Sequence, residues 1–121
     1  MKADDGIPLI GIVGPCGSGK STLIMGLERH GYRCRHIAQE HSYVQHMWQV
    51  ITNPDLLIFL QCSFENSTLR RKLNWARADY EEQQRRLSHA HDHADLVIDT
   101  NMLNVQDVLA RALDYLMERN L

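Results

Sequence analysis

Residues 7–22 read Ile7-Pro8-Leu9-Ile10-Gly11-Ile12-Val13-Gly14-Pro15-Cys16-Gly17-Ser18-Gly19-Lys20-Ser21-Thr22, a branched apolar run, a glycine-rich loop and the opening of a helical pattern. The run Ile7 to Val13 is nearly continuous in apolar residues, the pattern of a strand covered by helices on both faces, and it is expected at the centre of a sheet. The loop fits G-x-x-x-x-G-K-[ST]. Its glycines let successive N–H groups point inward at a phosphate, where a side chain would collide. Lys20 is then expected to reach the β- and γ-phosphates and Ser21 to set its hydroxyl on a magnesium ion, with the positive end of the next helix facing the same charge. Thr22 adds a second hydroxyl, Pro15 fixes one φ, and Cys16 reads as a small residue filling a loop position.

Outward from the loop, strands and helices alternate. The helix from Lys20 places Leu23, Ile24 and Leu27 on one face and stops at Gly31. Tyr32 to Ala38 reads as a second strand, polar enough in Arg33, Arg35 and His36 to lie at an edge. A short amphipathic helix follows with Val44, Met47, Trp48 and Ile51 on its apolar side, ended by Asn53-Pro54-Asp55. Leu56 to Leu60 is a third strand, closing at Gln61. The positions Leu69, Leu73, Ala76, Tyr80, Leu87, Ala90 and Ala94 keep a helical spacing that predicts one long helix or two nearly collinear ones. Ala94 to Asp99 is a fourth strand. The last helix is capped by Asn104 with Asp107 three on, and should bury Val105, Val108, Leu109, Ala112, Leu116 and Met117. This alternation predicts an α/β fold: a four-stranded parallel sheet, order 2-1-3-4, between helices on both faces in a three-layer αβα arrangement, with ligands at the carboxyl ends of the strands.

With 121 residues the chain is expected to form one nucleotide-binding domain over 1–121. A hydrophobic fraction of 44% and a charged fraction of 23% are ordinary for a globular domain, and a net charge of −2 argues against nucleic acid and membrane as partners. No apolar run approaches the ~20 residues of a membrane span. Met1 to Asp5 carries acids where a signal peptide would be basic and then apolar. The three cysteines lack metal-type spacing and fit reduced thiols, which with the absent leader predicts a cytoplasmic protein.

Beyond the loop, the layout resembles the phosphate-loop kinases of nucleotides and small metabolites, such as the shikimate, adenylate and dephospho-coenzyme A kinases. Leu56 to Leu60 followed by Ser63, Arg70 and Arg71 looks like their fourth strand and the helix leading to an arginine-bearing lid. Ala94 to Thr100 looks like their last strand, after which a loop packs on the base, so the resemblance implies nucleotide contacts at Arg71, Thr100 and Asn101. The cofactors implied are ATP or GTP and Mg2+. Where those kinases insert an acceptor-binding segment and a further strand, this chain has only a short connection. Any acceptor is then expected in a shallow groove between the helix of Trp48 and that of Arg77, or at a second subunit. No glycine follows Gly31, so the lid region lacks an ordinary hinge.

Phosphoryl chemistry needs a carboxylate near the magnesium, and Glu40, at the end of the strand beside the loop strand, is the candidate, with His41 next to it. The competing reading is a polar turn in which Ser42 caps the next helix. Gln61 could only orient a water, and Asp99 lies further along the sheet. Arg70, Arg71, Lys72, Arg77, Arg85 and Arg86 are either a solvated face, with Glu81 and Glu82 pairing to Arg85 and Arg86, or a source of phosphate contacts, for which Arg71 and Arg77 are chosen. His89, His91 and His93 are expected as an electrostatically favoured last turn rather than a metal site, and Trp48 and Trp75 as core or groove residues. Two functions stand: a small kinase-like phosphotransferase or slow NTPase, with lysine, Glu40, His41 and Arg77 as its chemistry, or a non-catalytic module that reports nucleotide state to a protein partner. The absence of an Asn-Lys-x-Asp stretch argues against a GTPase-type switch.

Overall fold

The structure, a computed structural model, describes residues 7–71 and 75–121, Arg71 by its backbone alone. The expectations for Met1 to Asp5, Lys72, Leu73 and the Arg71 side chain therefore fall outside the described residues. The elements in chain order are β1 (Leu9–Val13), α1 (Lys20–Arg29), β2 (Arg33–His36), a 3-10 turn (Gln39–His41), α2 (Met47–Ile51), β3 (Leu56–Gln61), α3 (Phe64–Arg71), α4 (Arg77–His93), β4 (Leu96–Asp99) and α5 (Val105–Glu118). The four strands make one sheet in the order β2-β1-β3-β4, and every pairing is parallel, with Gly11 opposite both Arg35 and Leu57, and Phe59 opposite Val97. Parallel strands need crossovers, which is why the chain alternates strand and helix.

Side-chain alternation along the strands builds two cores. On one face Ile10, Ile12, Ile58, Leu60 and Ile98 pack against Leu23 and Leu27 of α1 and Val108, Ala112 and Leu116 of α5. On the other, Val13, Leu57 and Phe59 meet Ile37, Trp48 and Leu87 and Ala90 of α4. Gly11 faces this second core, where a Cβ would come within 2.6 Å of Ile37 Cδ1 and 3.0 Å of Pro54 Cγ. Glycine there lets the chain close tightly over the central strand. Two aspartates extend the ladder at strand entrances: Asp55 accepts from Leu9 N–H at 2.7 Å and Asp95 from Leu57 N–H at 2.8 Å. No helix among the described residues is long and apolar enough to cross a membrane.

Three local expectations are corrected. The stripe Val44, Met47, Trp48, Ile51 does not form: Trp48 is the buried residue of α2, while Val44 and Ile51 are exposed. Polar side chains hold this segment instead. The buried Gln39 accepts from Trp48 N–H and donates to the carbonyls of Val44 and Arg86, and Gln45 donates to Arg85 O. The long helix is also two helices that fold back on each other. Residues 62 and 80 would stand about 27 Å apart along one helix, yet Tyr80 donates to Cys62 O at 2.6 Å. The turn is fastened by Trp75, which stacks on Phe64 and donates to Thr68 Oγ1, leaving Leu69 exposed. In α5, capped by Asn104 and Asp107 as expected, Val105 and Met117 are exposed. Val105 lies in the first turn, where it borders a cavity, and Met117 is about two and a half turns past Val108, on the opposite side.

The second core has a titratable border. Trp48 Nε1 donates to His89 Nδ1 at 3.1 Å, and His93 stacks on His89 with centroids 4.1 Å apart. Burial, followed by the neighbouring His93 and His46, lowers the pKa of His89 below its ordinary 6.5, against a small opposing pull from Asp92. Near and below that value the unfolded chain therefore binds more protons than the folded one, and stability falls as pH drops. The carboxyls of Glu65 and Glu82 are held below 4.5, so their contribution is lost only at more acid pH. The thermal midpoint is expected to fall between about pH 7.5 and pH 5.5, and to fall less in His89→Asn, which keeps an acceptor for Trp48 without titrating there. A pH profile identical in wild type and variant would show that this hydrogen bond does not govern the transition.

Candidate functional site

The carboxyl ends of parallel strands gather at one edge of the sheet, so the loop after β1 and the turn after β2 become neighbours although twenty residues separate Lys20 from Glu40. The loop backbone depends on glycine where φ is positive, at Gly17 (81°) and Gly19 (97°). A side chain at Gly14 would run into the backbone oxygen of Leu60, whereas one at Gly19 would meet nothing within 4 Å among the described residues. Gly19 is therefore the open side of the loop. It is also the residue preceding α1, a helix with no side-chain cap and no acidic residue in its first turn, so its first N–H groups face the same space.

Lys20 fills the middle of this arrangement. Its ammonium donates to Gly14 O at 2.6 Å, Pro15 O at 3.1 Å and Glu40 Oε2 at 2.9 Å, and the two side chains are only 6% and 4% exposed. Among the described residues, two buried polar atoms of the loop and the turn have no partner, Ser18 Oγ and Glu40 Oε1. Cys16 is fixed at both ends by the buried Gln83, which accepts from its N–H at 3.1 Å and donates to its sulfur at 3.3 Å. His41 is exposed, with Nε2 3.9 Å from Cys16 Sγ and 3.8 Å from Glu40 Oε2. Ser42 does not cap α2: its hydroxyl accepts from Val44 N–H, and His46 precedes the helix without a side-chain cap.

A cavity of about 700 Å³ opens in front of the loop, reached by Ser21, Thr22, His36, Glu40 and Arg70, with Leu103 and Val105 as its apolar wall. Burial and then Lys20 push the His36 pKa below 6.5. Three expected contacts do not line this cavity. Arg77 is drawn away by Glu65, at 2.6 Å, and lies over the Phe64 ring at 4.8 Å. Thr100 is buried, donating to Gln61 O and accepting from Arg70 Nη1. Asn101 turns to α3, where its side-chain oxygen accepts from Ser63 N–H and Asn66. In their place stand Arg70, whose guanidinium is oriented by Thr100, and residues 103–105. The spacing of the sequence carries no signal that Arg70 rather than Arg77 faces the loop, nor that Gln83 clamps Cys16, since both follow from the fold-back of α3 on α4. Gln61 opens on a second, smaller cavity of about 430 Å³ beside Tyr80, and Asp99 accepts from Asn101 N–H. The groove expected between the helix of Trp48 and α4 is filled by the Gln45 and Trp48 contacts. In the arginine stretch Glu82 pairs with Arg85 and Arg86.

Among known proteins, no family model and no curated protein matches the chain.

A buried ion pair that loses one member leaves the other uncompensated, at a cost of about 3–5 kcal/mol. Lys20→Met and Glu40→Leu are each expected to destabilise by roughly that amount, and the double variant by clearly less than their sum. Urea denaturation of the four proteins checks this, and strict additivity would mean that the two charges are solvated independently.

Proposed function

We propose that the chain binds a nucleoside triphosphate with Mg2+ at Gly14 to Thr22, in a shortened α/β fold of the phosphate-loop NTPase type, and that it transfers or slowly hydrolyses the terminal phosphoryl group. The observation that carries this reading is the cradle at Gly19: an open approach, an uncapped helix start behind it, and the Lys20 ammonium close by on weak-base carbonyl partners. Backbone N–H groups and a helix start of this kind suit an anion.

The residues present fit a nucleotide and its cation. Ser18 Oγ and Glu40 Oε1 are buried without partners among the described residues, and the exposed Ser21 borders the cavity. Ser21 and Glu40 would hold Mg2+, which when bound neutralises phosphate charge. Lys20 would exchange the Gly14 and Pro15 carbonyls for phosphate oxygens while keeping Glu40. Arg70, already fixed by Thr100, takes the phosphate-neutralising role first given to Arg77. Leu103 and Val105 offer apolar surface to the base, in place of Thr100 and Asn101. Glu40, next to His41, is the group to accept a proton from an attacking hydroxyl or water. ATP and GTP fit these contacts equally.

A second reading, a non-catalytic module whose nucleotide state is read by a protein partner, is favoured by one observation. The Glu40 Oε2 atom is already committed to Lys20, which weakens Glu40 as a base.

Gly19→Val is expected to abolish ATP binding measured by calorimetry, because a β-branched residue strains the backbone at φ 97° and its side chain enters the cradle. Lys20→Ala should also lose affinity, with the stability loss described above. Glu40→Gln should keep nucleotide affinity within a few-fold and lower turnover of labelled ATP with Mg2+ by on the order of 10²-fold. Unchanged ATP affinity in Gly19→Val would reject the loop assignment, and tight binding without turnover in wild type would select the module.

A further inference from the structure

We propose that Cys16, Glu40 and His41 form a three-ligand site for a thiophilic divalent cation, Zn2+ above all, at the mouth of the glycine-rich loop. The Cys16 sulfur, a Glu40 carboxylate oxygen and a His41 ring nitrogen all lie within 4.8 Å of one another. His41 Nε2 is 3.9 Å from the sulfur and 3.8 Å from Glu40 Oε2. Around a tetrahedral zinc ion, with bonds of about 2.0–2.3 Å, neighbouring ligand atoms stand roughly 3.3–3.5 Å apart. The imidazole edges have to close by about half an ångström, and the sulfur and the carboxylate, within 4.8 Å of each other, draw together onto the same ion.

Two further observations point to a cation rather than to a chance cluster. Glu40 Oε1, the other oxygen of the carboxylate whose Oε2 faces His41 and Lys20, is buried and has no partner among the described residues, in a side chain only 4% exposed. An acceptor in that state carries an unrepaid desolvation cost that a cation would relieve. The sulfur is also held in place before any ion arrives, since Gln83 grips both the N–H and the Sγ of Cys16. Such outer partners orient metal ligands.

The donor set selects the ion. Thiolate, imidazole and carboxylate suit zinc or cobalt, whereas magnesium takes oxygen ligands and keeps its water. On binding, the Cys16 thiol releases its proton to solvent and the thiolate becomes a ligand. Thiolate and carboxylate then balance the ion, and the Lys20 charge is left over, 2.9 Å from Glu40 Oε2. The fourth coordination position is open to an anion or a hydroxide. No nucleotide is required, so the proposal stands apart from the function above, although the soft cation and Mg2+ would compete for Glu40.

Cobalt titration of the reduced full-length protein tests the site, because only a cysteine ligand gives a thiolate-to-cobalt charge-transfer band. One cobalt per chain is expected in the nucleotide-free protein, displaced by zinc and retained in excess Mg2+, which competes for Glu40 but not for the sulfur or the imidazole. The band should vanish in Cys16→Ser and affinity fall at least about tenfold in His41→Gln, while Cys34→Ser, Cys62→Ser and His89→Asn keep both. His41 is 61% exposed, so its variant folds and carries the test if Cys16→Ser does not. A missing band, a band that survives Cys16→Ser, or an affinity unchanged in His41→Gln overturns the proposal.

Discussion

Lys20 Nζ is the point at which the molecule is tied together. Its three protons meet three acceptors, two carbonyls of the loop and one carboxylate oxygen of the turn after β2. A charge so deeply buried is tolerable only when paired and fully hydrogen-bonded. That requirement fixes the curl of the loop, the start of α1 and the position of Glu40 at once. The parallel sheet makes it possible, because β1 and β2 end side by side.

Away from that charge, buried amides do what apolar stripes usually do. Gln39 satisfies a backbone N–H and two carbonyls with one side chain, and so attaches residues 44–48 to α4 without burying Val44 or Ile51. Gln83 does the same between α4 and the loop. A buried amide with all its partners specifies a geometry more narrowly than a hydrophobic contact does, since each lost bond leaves an unsatisfied group. The loop and the turn are thus held from the α4 side as well as from the sheet.

The arginines are sorted by the fold-back of α3 and α4. Phe64, Trp75 and Tyr80 pack ring against ring at the reversal, and the hydrogen bond from Tyr80 to Cys62 closes it. The Tyr80 hydroxyl pKa rises mainly through burial, so it remains a donor. Arg77 is captured by this aromatic corner and by Glu65, while Arg70 is left for Thr100 and the cavity.

The sequence alone determined the sheet. Continuous apolar runs at residues 9–13 and 56–60, the glycine-rich loop between strand and helix, and the Asn104–Asp107 cap are local signals, each decided by residues within a few positions of one another. The order of the strands and the meeting of Glu40 with the loop followed from them, because parallel crossovers leave few arrangements. What only the tertiary structure decided involves partners far apart in the chain. Arg70 and Arg77 lie on similar helical spacing, and nothing local says which one Glu65 and Phe64 will hold. Gln83 meets Cys16 across 67 positions, and Gln39 meets Arg86 across 47. Nor does the spacing of Cys16 and His41 suggest proximity, since hydrophobic periodicity records which face is buried and is silent on which polar groups meet there.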